Sequence, residues 1–206
     1  MELSELAESL GRLTDAASEA GTRVTEQEWR QPWAAGKWTR IEVLGHLVDS
    51  AAHNHQRFAR ALHEDSLAMP GYNGDAQVRV QRYAAAPIAA VVEAWRAQNR
   101  LIGYVLAQIP ADKEKTPCTI GAHAPITLRE LAFDYVAHLE HHLRQIFADS
   151  DTLKYREWRG RRRVDGSSDG VDVSRIVLAT SGSLGELNPY IAVGEGLKQR
   201  GHSGTV

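Results

Sequence analysis

Cysteine is all but absent from this chain. Cys118 is the only one in 206 residues, which excludes an internal disulfide framework and a cysteine-rich zinc site and suits a reducing cytoplasm. An excess of one charge is also lacking. The 24 basic residues stand against 26 acidic ones, a formal charge of -2, so electrostatics gives no reason to expect nucleic acid or an anionic membrane as a partner. No apolar run approaches the ~20 residues needed to cross a bilayer. The start, Met-Glu-Leu-Ser-Glu-Leu, has neither the basic residues nor the apolar stretch of a secretory signal. Strand-like alternation is minimal over residues 1–150. These absences point to a cytoplasmic, mainly helical protein that acts on a small molecule, with a homodimer open to it.

What is present is helical periodicity, and 43% hydrophobic residues are enough to fill a core. Leu3, Leu6, Leu10 and Leu13 recur at 3-4-3 spacing and predict a first helix ending near Gly21. Thr25 to Glu28 has capping-box form, a hydroxyl at the N-cap and a glutamate three residues on, and predicts a short turn. Trp33 and Trp38 flank Gly36 and read as core plugs beneath a loop. A second capping box, Thr39 to Glu42, opens a long helix running through Val43, Leu47, Ala51 and Phe58 to Leu62. Residues 64–87, with Pro70-Gly71-Tyr72-Asn73-Gly74, read as a long polar connection of the kind that forms lids or pocket walls. Pro87 fits the first position of a third long helix that stops at Pro110. Its Gln98-Asn99-Arg100 reads as a solvated face, unless Asn99 reaches a site lined by that helix. Thr127 to Glu130 is the third capping box and starts the fourth. The expectation is an all-α four-helix bundle.

The fourth helix holds the most informative stretch. Leu128, Leu131, Tyr135, His138 and His142 keep a 3-4-3-4 rhythm, so both histidines fall on the inward stripe about one turn apart. An i, i+4 pair of imidazoles there is either two satisfied core histidines or a metal clip. A third inward ligand would decide for the clip, and His46, one turn into the second long helix, is placed to supply it. His53 and His55 read as solvent-facing, and His141 falls off the stripe. Glu140 stands two residues after His138, so the H-E-x-x-H pattern of zinc proteases is not present.

Trp38-Thr39-x-x-Glu42-Val43-Leu44-Gly45-His46-Leu47-Val48-Asp49 and His138-Leu139-Glu140-His141-His142-Leu143-x-Gln145-Ile146 resemble the DinB/YfiT-like superfamily of metal-binding four-helix bundles. The likeness covers roughly residues 1–148. It implies three histidine ligands, which map onto His46, His138 and His142, with His141 at a position that is frequently histidine but not a ligand. It also implies a divalent ion such as zinc or nickel. The superfamily includes thiol-dependent transferases and isomerases and proteins called metal-dependent hydrolases, so a low-molecular-weight thiol is a candidate co-substrate. Ligating histidines usually donate their second N–H to a carboxylate or carbonyl, which makes Asp49, Asp134 and Glu140 the candidates for that role. No catalytic residue is assigned.

Beyond residue 148 the composition changes. Residues 149–173 read as a linker with a solvated arginine run, and Ser174 to Val206 as strand, glycine-rich turn and helix with a candidate start of a second strand. Gly182-Ser183-Leu184-Gly185-Glu186-Leu187-Asn188-Pro189 resembles the first loop of GT-B glycosyltransferases that act on sterols or lipids, here as a truncated β-α-β fragment. Three functions compete: a metal-dependent hydrolase or thiol-dependent transferase, a non-catalytic metal-binding stress-response module, and glycosyl transfer by the tail.

Overall fold

A computed structural model describes residues 1–147; the expected linker and glycosyltransferase-like fragment lie outside the described residues. The chain runs α1 (Leu3–Gly21), α2 (Glu26–Trp29), α3 (Arg40–Ala61), β1 (Leu67–Met69), α4 (Gly74–Gln81), a 3-10 turn (Tyr83–Ala85), α5 (Ile88–Leu106), β2 (Pro117–Ile120), β3 (Ile126–Thr127) and α6 (Leu128–Ile146). The three threonine capping boxes all form. At α3, for example, the Thr39 backbone N–H donates to Glu42 Oε2 at 2.8 Å while the Thr39 hydroxyl accepts from the Glu42 N–H. Each box satisfies donors that a helix start leaves unpaired, and so fixes where α2, α3 and α6 begin. Pro87 is the N-cap of α5, one position earlier than expected.

The four long helices form a bundle in which chain order and adjacency differ. α1 and α3 each pack on both α5 and α6, and therefore stand diagonally across the bundle. Consequently α3 lies beside α6, and the Arg40 Nε–H donates to the Ile146 carbonyl at 2.9 Å, setting the start of α3 against the end of α6. This antiparallel register brings His46 level with His138 and His142. Trp95, Phe58, Leu10, Ile102, Leu106 and Leu139 are among the side chains sealed in the core, each worth about 1.5–3 kcal/mol of burial.

Two expectations are corrected here. Residues 64–87 are not an unstructured connection. β1 pairs in parallel with β2, Leu67 opposite Cys118, and β2 pairs antiparallel with β3, tying the two long crossovers into a three-stranded sheet. α4 is capped by Asn73, whose Oδ1 accepts from the Ala76 N–H. Asn99 is neither solvated nor at the site: it is 1% exposed, its Nδ2 donates to the Trp95 carbonyl, and its Oδ1 accepts from the Tyr135 hydroxyl at 2.6 Å. A polar residue can enter a core only when such partners exist. No described helix is long and apolar enough to cross a membrane.

Candidate metal centre

His46 projects from the second turn of α3, and His138 and His142 from successive turns of α6. His46 Nε2 lies 3.2 Å from His138 Nε2, and His142 Nε2 lies 3.1 Å from the same atom. One nitrogen from each of the three rings falls within 4.8 Å of the others. Bonds of ~2.0–2.1 Å to one ion at tetrahedral or right angles place ligand nitrogens about 2.9–3.4 Å apart, and the two short spacings fall in that interval.

The outer hydrogen bonds set the proton positions. His142 Nδ1 is 2.7 Å from Gln145 Oε1. An amide oxygen only accepts, so the proton sits on Nδ1 and the Nε2 lone pair is turned inward. His138 Nδ1 faces the Ser50 hydroxyl at 3.4 Å. His46 Nδ1 is buried without a partner. Whether His46 Nε2–H points at His138 or His138 Nε2–H points at His142, a single N–H aims fully at only one of the two short contacts, and the other pair of nitrogens faces without a proton well placed between them. A cation between the three nitrogens removes this conflict, so the donor set fits a divalent ion.

Electrostatics agrees with neutral ligands. Burial pushes the His46 imidazole down to about 4, opposed by the Asp75 carboxylate. Burial followed by the nearby His46 ring takes His142 to about 3, with the Gln145 hydrogen bond opposing. His138 is driven well below the usual imidazole range by burial and then by its two neighbours. All three rings are neutral at pH 7, the form that binds metals.

Around the rings the arrangement differs from expectation. Neither Asp49 nor Asp134 hydrogen bonds to any of the three imidazoles. Asp49 instead receives the Tyr83 hydroxyl at 2.9 Å and the Gln81 amide on the same oxygen, pinning the 3-10 turn to α3. Asp134 is exposed and Glu140 buried on α6. His53 does not point freely to solvent; its ring stacks on Tyr72 at 4.1 Å and meets the Gln77 amide, while His55 is half-buried. Trp38 is half-buried with its ring 5.3 Å from that of His46, so it walls the site as well as packing on the core. Gln145 and Ser50 escaped the sequence reading. The former carried a signal, standing three residues after His142 and four after His141, and its Nε2 is 3.0 Å from His141 Nε2. Gly74 is also structural to the site, since a Cβ there would lie 3.1 Å from His46 Cε1. An open groove of about 700 Å³ passes Trp38, Asp75 and Arg79.

Comparison with known proteins agrees with this fold. The sequence profile of the DinB superfamily matches residues 6–146. The solved structure of YfiT from Bacillus subtilis, described as a probable metal-dependent hydrolase with an unusual four-helix bundle topology, superposes with a TM-score of 0.65 at 21% identity, over 70% of this chain and 83% of that one. No curated protein sequence matches.

Proposed function

This chain belongs to the DinB superfamily, and we propose that it is a metal-dependent hydrolase whose divalent ion is held by His46, His138 and His142. The observation that carries the reading is the convergence of three neutral imidazoles, two buried and one half-buried, from two helices distant in sequence. Zinc or nickel suits an all-imidazole donor set. Three protein ligands leave coordination positions open, as in catalytic rather than closed structural sites. When bound, the ion supplies Lewis acidity and brings the ionisation of water toward neutral pH.

The chain's own residues do the rest. Gln145 holds His142 in the tautomer that presents Nε2 inward, and the Ser50 hydroxyl, 3.4 Å from His138 Nδ1, orients that ring. The capping box at Thr39 and the Arg40 to Ile146 bond hold α3 in register against α6. Trp38 and Tyr72, 5.3 and 6.4 Å from the His46 ring, limit water on that side.

The test is a screen of metal-loaded protein against ester, amide and phosphoester substrates, with chelator-treated protein and His142→Ala as controls. Chelator-sensitive turnover absent from the variant is expected. A second arm adds a low-molecular-weight thiol and an electrophile, because a bound divalent ion can also deprotonate a coordinating thiol. Turnover only in that arm replaces hydrolysis with thiol transfer, and turnover unaffected by His142→Ala overturns the site.

A further inference from the structure

Arg57 is a charged side chain with no charged partner. It is 6% exposed, and among the described residues no carboxylate lies within ion-pair distance of it. Its one hydrogen bond among the described residues runs from Nη1 to Asn54 Oδ1 at 3.3 Å. Nε is buried without a partner, and Nη2, equally without one, is not closed off. Nε–H and one Nη2–H lie on the same edge of the guanidinium plane. The unpaired donors therefore form a two-toothed edge, the geometry that grips a carboxylate with both oxygens.

This edge belongs to the neighbourhood of the three histidines. Eleven residues separate Arg57 from His46, about three turns, so both lie on one face of α3. Long helical side chains lean toward the helix N-terminus, here toward the imidazoles. A polar chain connects them: Arg57 to Asn54, Asn54 Nδ2 to Ser50 Oγ at 3.4 Å, Ser50 Oγ to His138 Nδ1 at 3.4 Å. Tyr72, whose ring centroid is 6.4 Å from that of His46, also lies near Arg57. A buried guanidinium costs several kcal/mol to desolvate, and one neutral amide does not offset that.

We propose that the Nε–Nη2 edge of Arg57 is the seat for a carboxylate on the substrate of the three-histidine site, so that the substrate is an organic acid bound at two points. The inference rests on the metal-centre reading and adds to it the class of substrate. A monoanion is favoured over a phosphate dianion because the seat offers one positive charge, and Asp134 places a negative one nearby. The alternative is that Arg57 only braces α3 against α6 through the field of Asp134.

Calorimetric titration with 3-mercaptopropionate and with its neutral counterpart 3-mercapto-1-propanol separates the two, in protein as purified and after chelation, with inorganic phosphate as a third probe. The wild type is expected to prefer the acid by at least tenfold. Arg57→Met removes the preference with metal content and helicity unchanged, Arg57→Lys keeps part of it, and Asp134→Asn keeps all of it. Equal affinities for acid and alcohol in the metal-bound wild type, or a preference that survives Arg57→Met, overturns the carboxylate seat and leaves the metal centre standing. Phosphate binding as tightly as the acid overturns the monoanion assignment. An acid preference lost in Arg57→Met, in a protein that takes up no metal, keeps the seat and overturns the metal reading.

Discussion

Gly45→Ala is a substitution for which helix propensity and packing predict opposite signs. In the interior of α3, alanine should stabilise by about 1 kcal/mol relative to glycine. At this position, however, a Cβ would lie 2.2 Å from Tyr83 Cγ and 2.3 and 2.6 Å from its two Cδ atoms. Carbon atoms pack at about 3.5–4.0 Å, so the ring must retreat by more than an ångström. Tyr83 is not free to retreat, because its hydroxyl donates to Asp49 Oδ1 one turn further along α3. Overpacking costs about 1–3 kcal/mol, and loss of a buried hydrogen bond to a carboxyl adds about 1–3 kcal/mol. Set against the propensity gain, the net destabilisation is about 1–5 kcal/mol. Urea unfolding followed by circular dichroism reads it as a lowered midpoint at unchanged slope. The control is a double-mutant cycle with Tyr83→Ala, in which Gly45→Ala should become neutral or stabilising. A cost that persists without the Tyr83 ring would refute the reasoning, as would a Gly45→Ala protein as stable as the parent.

Other perturbations test the remaining contacts. Tyr135→Phe strips the side-chain donor at 2.6 Å from buried Asn99 Oδ1 and should cost about 1–3 kcal/mol in the same assay. Gln145→Leu removes the acceptor that fixes the His142 tautomer and should weaken metal affinity about 10–100-fold, measured by competition with a chromophoric chelator. In metal-free protein the folded-state imidazole values lie below the unfolded value near 6.5, so the unfolded chain binds more protons in the interval between them. Stability should therefore fall as pH drops below about 6.5 and stop falling through His46 near pH 4, a loss of about 3 kcal/mol for that ring. Urea midpoints in metal-free His46→Ala should show a shallower slope over this interval.

Much of this was legible in the sequence, and the reasons differ by element. Thr39 with Glu42 and Thr127 with Glu130 are local signals whose physics is complete within four residues, so the starts of α3 and α6 could be read directly. The inward placement of His138 and His142 follows from helical period alone, and pairing with His46 from the family likeness. The connection at 64–87 was not legible as structure, because three-residue β1 gains its pairing from Cys118 and its neighbours fifty residues away. Asn99 was misread because periodicity assigns polar residues to solvent, and only the folded neighbours reveal a partner such as Tyr135. Of the carboxylates expected behind the imidazoles, Asp49 is turned elsewhere. Asp49 lies on the right helix but its oxygen is engaged by Tyr83 and Gln81.

The central claim is that three imidazoles hold one divalent ion, and elemental analysis of metal-loaded protein after exhaustive dialysis tests it most directly. About one equivalent of zinc or nickel per chain is predicted for the parent and for His141→Ala, whose ring reaches Gln145 rather than the convergence point. His46→Ala, His138→Ala and His142→Ala should each lose stoichiometric metal while retaining helical circular dichroism. No retained metal in the parent, or metal retained in His138→Ala and lost in His141→Ala, would contradict the account.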